Sequence, residues 1–129
     1  MKEGINLSVV LYAYLTRSIF DIYFNREDLG VTAPYGSTGI ITGVHVPFGT
    51  QALSWRLGGP KGAPNNGDTV HVKNVLTLRP EQILADTRYL GIHIYPDFTA
   101  EITVCDDMPD FSTKGEEELL KRAKTAGSA

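Results

Sequence analysis

The chain has few of the residues that usually make a metal or cofactor site recognisable. Cys105 is its single cysteine, so there is no internal disulfide and no cysteine-based metal motif. Its three histidines, His45, His71 and His93, never fall in a short paired spacing such as H-x-H. A zinc site would need all three to converge from separate strands, and no metal is expected. Asp106, Asp107 and Asp110 lack the glycine and distal glutamate that a calcium loop places at fixed offsets. Ser37 and Ser54 have no G-x-S-x-G around them, which removes the nucleophile elbow. The glycines of 58–67 match neither phosphate-binding pattern, G-x-x-x-x-G-K-[ST] or G-x-G-x-x-G. No cofactor is expected.

Charge excess is missing too. Twelve lysines and arginines stand against 15 aspartates and glutamates, a net charge of −3. A nucleic-acid binder needs a clustered basic surface to replace counterions, so that class is set aside, while a basic partner is not. No apolar run is long enough to span a bilayer as a helix. The opening MKEGINLSVVLYAYLTRS is broken by Glu3, Asn6, Tyr12 and Tyr14, and no small-residue cleavage site follows. Two origins fit: a cytoplasmic protein, or a mature exported one whose signal is replaced by an initiator methionine.

What the chain has in quantity is strand pattern. Residues 7–15 are apolar on both faces and rich in β-branched and aromatic side chains, which favours strand over helix. Phe20, Ile22 and Phe24 alternate against Ile19, Asp21, Tyr23 and Asn25, and 25–28 (NRED) reads as a turn. Ile40, Thr42, Val44, Val46 and Phe48 form another face after the 34–39 loop, and Leu53, Trp55 and Leu57 a third. Trp55, one of three alternating apolar residues, is placed in the core rather than at a binding hot spot. Residues 58–68 are loop by composition, strand resumes at Val70 and Val72, and 75–78 either extends it or starts a neighbour. Residues 79–86 hold one short helical turn entered through Pro80.

At the C-terminus, Thr113 precedes Glu116 at capping-box spacing, and Glu117–Lys121 and Glu118–Arg122 are favourable i,i+4 pairs. A short helix is expected over 113–124. Short strands with turn signals between them point to one mainly β domain over 1–129. It is expected to be an antiparallel β-sandwich or a partly open barrel closed by the C-terminal α-helix.

The hairpin in YLGIHIYPDFTAEITVC (89–105) can be registered from its pattern, since a slip of one residue moves every side chain to the other face. A two-residue loop sets Ile92 against Glu101 and mixes the faces. A three-residue loop, Pro96-Asp97-Phe98, sets Ile94 against Ala100, Ile92 against Ile102 and Leu90 against Val104. It also places His93 opposite Glu101 on a polar face. There the two are expected to be a solvent-facing cross-strand pair contributing about 0.2–1 kcal/mol. The competing reading is a small-ligand-binding β domain or minor hydrolase, with His93 as general base and Glu101 orienting it. The preferred loop wants a left-handed last residue, usually glycine, and Phe98 stands there as an exposed, awkward aromatic at the tip.

YAYLTRSIFDIYFN, ALSWRLGG, TVHVKNV and YLGIHIYPDFTAEITVCDDMPDF follow one another in an order that resembles the domain-of-unknown-function family 3304, small proteins of the bacterial envelope. The matching positions are Tyr12, Tyr14, Thr16, Arg17, Trp55, His93, Tyr95, Pro96 and Asp97. The resemblance implies a periplasmic or lipid-anchored protein that is not an enzyme. It implies an immunity protein that binds and neutralises a type VI secretion lipase or phospholipase effector by occluding its active site. Membrane contact would come only through a lipid anchor absent from this chain.

An inhibitor of this kind needs a rigid scaffold and loops shaped to one partner. Tyr35, in the 34–39 loop, and Lys61, Asn65 and Asn66, in the 58–68 loop, are the side chains there best able to make specific contacts. Asp106, Asp107 and Asp110 suit a basic rim on the effector. Phe98 completes the candidate partner-binding set.

Overall fold

A computed structural model describes the backbone of residues 3–127 and side chains through Lys121. The order is β1 (Gly4–Ala13), β2 (Ile19–Phe24), β3 (Glu27–Thr32), β4 (Ser37–Pro47), β5 (Gly49–Gln51), β6 (Leu53–Leu57), β7 (Thr69–His71), β8 (Leu76–Leu78), a 3-10 turn (Pro80–Gln82), β9 (Tyr89–Ile94), β10 (Ala100–Cys105) and α1 (Thr113–Gly127). One four-stranded sheet runs β10-β9-β1-β4, a second runs β3-β2-β6-β7, and β5 pairs with β8. The fold is mainly β, with open sheets and a single C-terminal helix, as its sequence pattern predicts. Among the described residues all strand pairs are antiparallel except one: β1 lies parallel to β9.

The two larger sheets share one core. β1 contributes Leu7, Val9, Leu11 and Ala13, β9 contributes Leu90, Ile92 and Ile94, and β6 contributes Leu53, Trp55 and Leu57. Trp55 is fully buried, as expected of a core residue. Its indole N–H has no hydrogen-bond partner among the described residues, a cost of about 1–3 kcal/mol set against the large area it buries.

Several local expectations are corrected. In β2, Asp21 has φ 46° and the register shifts beside it, so this bulge lets Ile19 and Ile22 both face the core while Phe20 is left half-exposed. In β4, Gly43 at φ 69° does the same, and Ile41 rather than Ile40 packs inward. β3 and β5 carry no clean alternation and were not predicted. Of the two readings open for 75–78, the structure takes the second: residues 76–78 start a new strand, paired with β5.

α1 begins with Ser112, not Thr113, as its cap. The Ser112 hydroxyl accepts the Gly115 N–H at 2.9 Å, and the Ser112 carbonyl accepts the Glu116 N–H at 2.8 Å. Lys121 pairs with Glu118, three residues away, at 3.3 Å in place of the expected Glu117. The Glu118–Arg122 pair lies outside the described side chains.

Candidate functional site

The hairpin register is the predicted one: Ala100 opposite Ile94, Glu101 opposite His93, Ile102 opposite Ile92 and Val104 opposite Leu90. The solvent-facing environment predicted for His93 is not found. His93 is 1% exposed, because the far side of this sheet is covered as well. Tyr12 and Tyr14 of the β1 end interleave with His93 and Tyr95 of the β9 end through the parallel pairing.

The four rings form a cluster of near-parallel planes, with Tyr12 and Tyr14 also 6.4 Å apart. Tyr12 lies on His93 at 5.6 Å between centroids, His93 on Tyr14 at 5.9 Å and Tyr14 on Tyr95 at 5.5 Å, with planes within 12° of parallel. Phe111 meets Tyr12 edge-on at 5.2 Å, and the Lys114 ammonium sits 4.4 Å above the Tyr95 ring.

Two glycines allow the cover to come this close. A Cβ on Gly115 would overlap the Tyr14 ring. A Cβ on Gly91 would lie 2.7 Å from Thr103 Oγ1 and 3.0 Å from Pro109 Cβ. The segment after β10 therefore folds back flat over the rings, and the Tyr12 hydroxyl donates to the Pro109 carbonyl at 2.7 Å.

The hydrogen bonds run in two chains. A carboxylate only accepts, so Tyr95 donates to Glu101 at 2.6 Å. Having spent its proton, the Tyr95 oxygen accepts from the Ser112 hydroxyl, also at 2.6 Å, and that hydroxyl in turn accepts the Gly115 N–H. A second chain runs from the Ser112 N–H to the Tyr14 oxygen at 3.2 Å, and the Tyr14 hydroxyl shares a hydrogen bond of 2.9 Å with His93 Nδ1. His93 and Glu101 are thus joined through the cap of α1 and not to each other. Each chain polarises its own bonds.

The titration behaviour follows. Burial lowers the pKa of His93, partly opposed by the charge of Glu101. Burial and then the bond to Glu101 push Tyr95 far above the usual phenol range, and burial raises Tyr14 and Tyr12 as well. At neutral pH the cluster is a neutral histidine among protonated tyrosines, which clasps the start of α1 to the sheet.

Beside this clasp runs a groove of about 1040 Å³. One wall is residues 74–77, the floor is β10, and the other wall is the start of α1 with Phe111, Lys114 and Glu117. Glu101 and Tyr95 line it, and His93 does not.

The residues predicted to bind a partner do not gather here. Phe98 adopts the left-handed conformation, φ 67°, but its ring turns inward, edge-on to Trp55 at 6.0 Å and under the Lys73 ammonium at 5.6 Å. Burial against the core offsets the backbone strain, so it is not the exposed tip that the sequence suggests. Lys61 and Asn65 are exposed. Asn66 is built into its loop: its amide donates to the Pro60 carbonyl at 2.9 Å, and its oxygen accepts from Arg17 at 3.2 Å. Arg17 also binds the Gly58 and Pro64 carbonyls, which shapes the loop from outside it. Tyr35, at φ 52°, gives its N–H to the Leu15 carbonyl.

Asp106, Asp107 and Asp110 are exposed, and the last two receive the N–H of the following residue. Asp106 and Asp107 follow the end of β10, beside the groove's open strand. His45 bonds Asn6 at 3.1 Å and does not meet His71 or His93. Among the described residues no three His, Cys, Asp or Glu side chains gather as a metal site. No family model, curated protein or solved structure matches the chain.

Proposed function

We propose that this protein is a binding protein of the immunity type, which holds a secreted lipase or phospholipase effector and occludes its active site. The observation that carries the binding role is the groove along β10, bounded by an exposed apolar residue, Val75, on one side and by Phe111 and Lys114 on the other. A mixed apolar and charged cleft on a rigid sheet is suited to a polypeptide partner. The class of partner comes from the resemblance in motif order to the envelope family, and so does the periplasmic location. The hydrolase reading draws less support. His93 lies under Tyr12 and Tyr14 and off the groove wall, and its Nδ1 is already occupied by Tyr14.

Co-expression with the lipolytic enzyme encoded beside the gene, followed by pull-down and a lipase assay, tests the proposal. The expected result is a stable complex with stoichiometric loss of lipase activity. Absence of both the complex and the inhibition overturns it.

A further inference from the structure

The floor of the groove is a strand edge with unused hydrogen bonds. In β10 the odd-numbered residues face β9: Tyr95 gives its N–H to Thr99 and Arg88 gives its N–H to Cys105, each at 2.9 Å. The alternation of an antiparallel ladder then turns the N–H and C=O of Ala100, Ile102 and Val104 away from β9, on the side where Ala100 and Ile102 line the groove. Ala100 is satisfied there. The Asn74 side chain takes both of its groups, accepting from the N–H at 2.8 Å and donating to the C=O at 2.8 Å. An amide side chain thus fills one rung as a neighbouring strand would. The next two rungs, Ile102 and Val104, have no partner among the described residues.

The other edges are shorter or irregular. β4 is interrupted by Gly39 and Gly43 at φ 75° and 69° and by two register shifts, β3 by Gly30 at φ 92° and by register shifts against β2, and β5, β7 and β8 are three residues each. β10 is six residues in unbroken register with β9.

We infer that β10 receives an extended peptide segment of the partner as an added strand, pairing at Ile102 and Val104. The inference deepens the immunity reading by naming how the partner is held. A segment of about four residues spans both rungs at roughly 3.4 Å per residue. Main-chain bonds supply affinity, and alternate side chains supply specificity by meeting Val75 on one side and Phe111 on the other. Asp106 and Asp107 lie just beyond the strand's end, so the segment carries a lysine or arginine there. A second copy of this chain is a poor occupant, because its own β10 and the residues flanking it, 96–110, carry no lysine or arginine.

The test uses the full chain and a phage-displayed library of short random peptides. The expected winners alternate apolar residues and carry a basic residue at one end. The synthesised winner slows hydrogen exchange of the Ile102 and Val104 amides by about tenfold or more. Val104→Pro removes one edge N–H that the β9 ladder does not use, and weakens binding about tenfold or more. Val75→Asp, at a side chain 75% exposed, does the same and keeps the test valid if the proline variant fails to fold by circular dichroism. No enriched peptide, winners that bind Val75→Asp as well as the native chain, or protection of other amides only, overturns strand addition. An effector complex that survives both substitutions overturns strand addition and leaves the immunity reading standing. Edge-binding peptides without any effector complex do the reverse.

Discussion

The two faces of the β10-β9-β1-β4 sheet are closed by different means. On one face Leu7, Val9, Leu11, Leu90, Ile92 and Ile94 meet the second sheet in a core where shape and area decide stability. On the other, Tyr12, Tyr14, His93 and Tyr95 meet a single returning segment and the first turn of α1, and each polar atom that touches the cap is hydrogen-bonded. Apolar packing is tolerant of which neighbour supplies the area. The aromatic face depends on particular partners, so small changes there are expected to act on one element, α1, rather than on the whole fold.

The largest effect belongs to the apolar face. Ile92→Ala removes a fully buried side chain between two sheets and should cost about 2–5 kcal/mol, read as a shift in the urea midpoint with an unchanged slope. A loss well below that range would mean the two sheets can close over the cavity, and the contrast between the faces would weaken.

Gly115→Ala breaks the comparison from the other side. The new methyl group meets the Tyr14 ring, which is held by Tyr12, Tyr95 and His93. Either the ring tilts or α1 lifts, at a cost of about 1–3 kcal/mol. The near-ultraviolet circular dichroism of the tyrosines should fall while the strand signal is kept. Equal loss of both signals would show that the two faces are one cooperative unit.

How much of this was legible beforehand depends on how far along the chain the determinant lies. The hairpin register could be read because both strands and their loop sit within 89–105, and one pairing alone separates apolar from polar. The covering of residues 7–15 on both sides was also foreshadowed, since Val9, Val10 and Leu11 are apolar in succession. The burial of His93 was not, because its cover comes from Pro109, Phe111 and Gly115, too few apolar residues to make a periodic signal. Two clues were present. Tyr12 and Tyr14 share the parity of Val10, and a glycine interrupts the first turn of an otherwise strong helix. Phe98 was placed correctly in φ but not in space, since backbone pattern does not tell which way a ring turns. The bulges at Asp21 and Gly43 displaced the alternation that strand reading relies on. For the open rungs of β10, knowing that Asn74 returns to Ala100 was the missing fact.

The smallest effect separates the faces by pH. His93 has a lowered pKa in the folded protein because it is buried, and the opposing charge of Glu101 limits the shift. Above the unfolded value of about 6.5 neither state holds the proton, and the contribution of this site is complete. As pH falls below that value, the unfolded chain binds a proton that the folded one resists, so stability drops until the folded pKa is passed and then levels. Protonation makes both ring nitrogens donors, so Nδ1 can then only donate to Tyr14 in the bond that links the ring to the α1 cap. His93→Gln keeps an acceptor for Tyr14 without a titrating group. Urea midpoints measured between about pH 7 and 5 should slope for the native chain and flatten for this variant. Asp97, whose pKa is lowered by its bonds to Thr99, loses its contribution only as pH falls below the ordinary value of 3.8, outside this window. A slope that persists in His93→Gln would assign the pH sensitivity to other groups and leave the aromatic face as indifferent to acid as the apolar one.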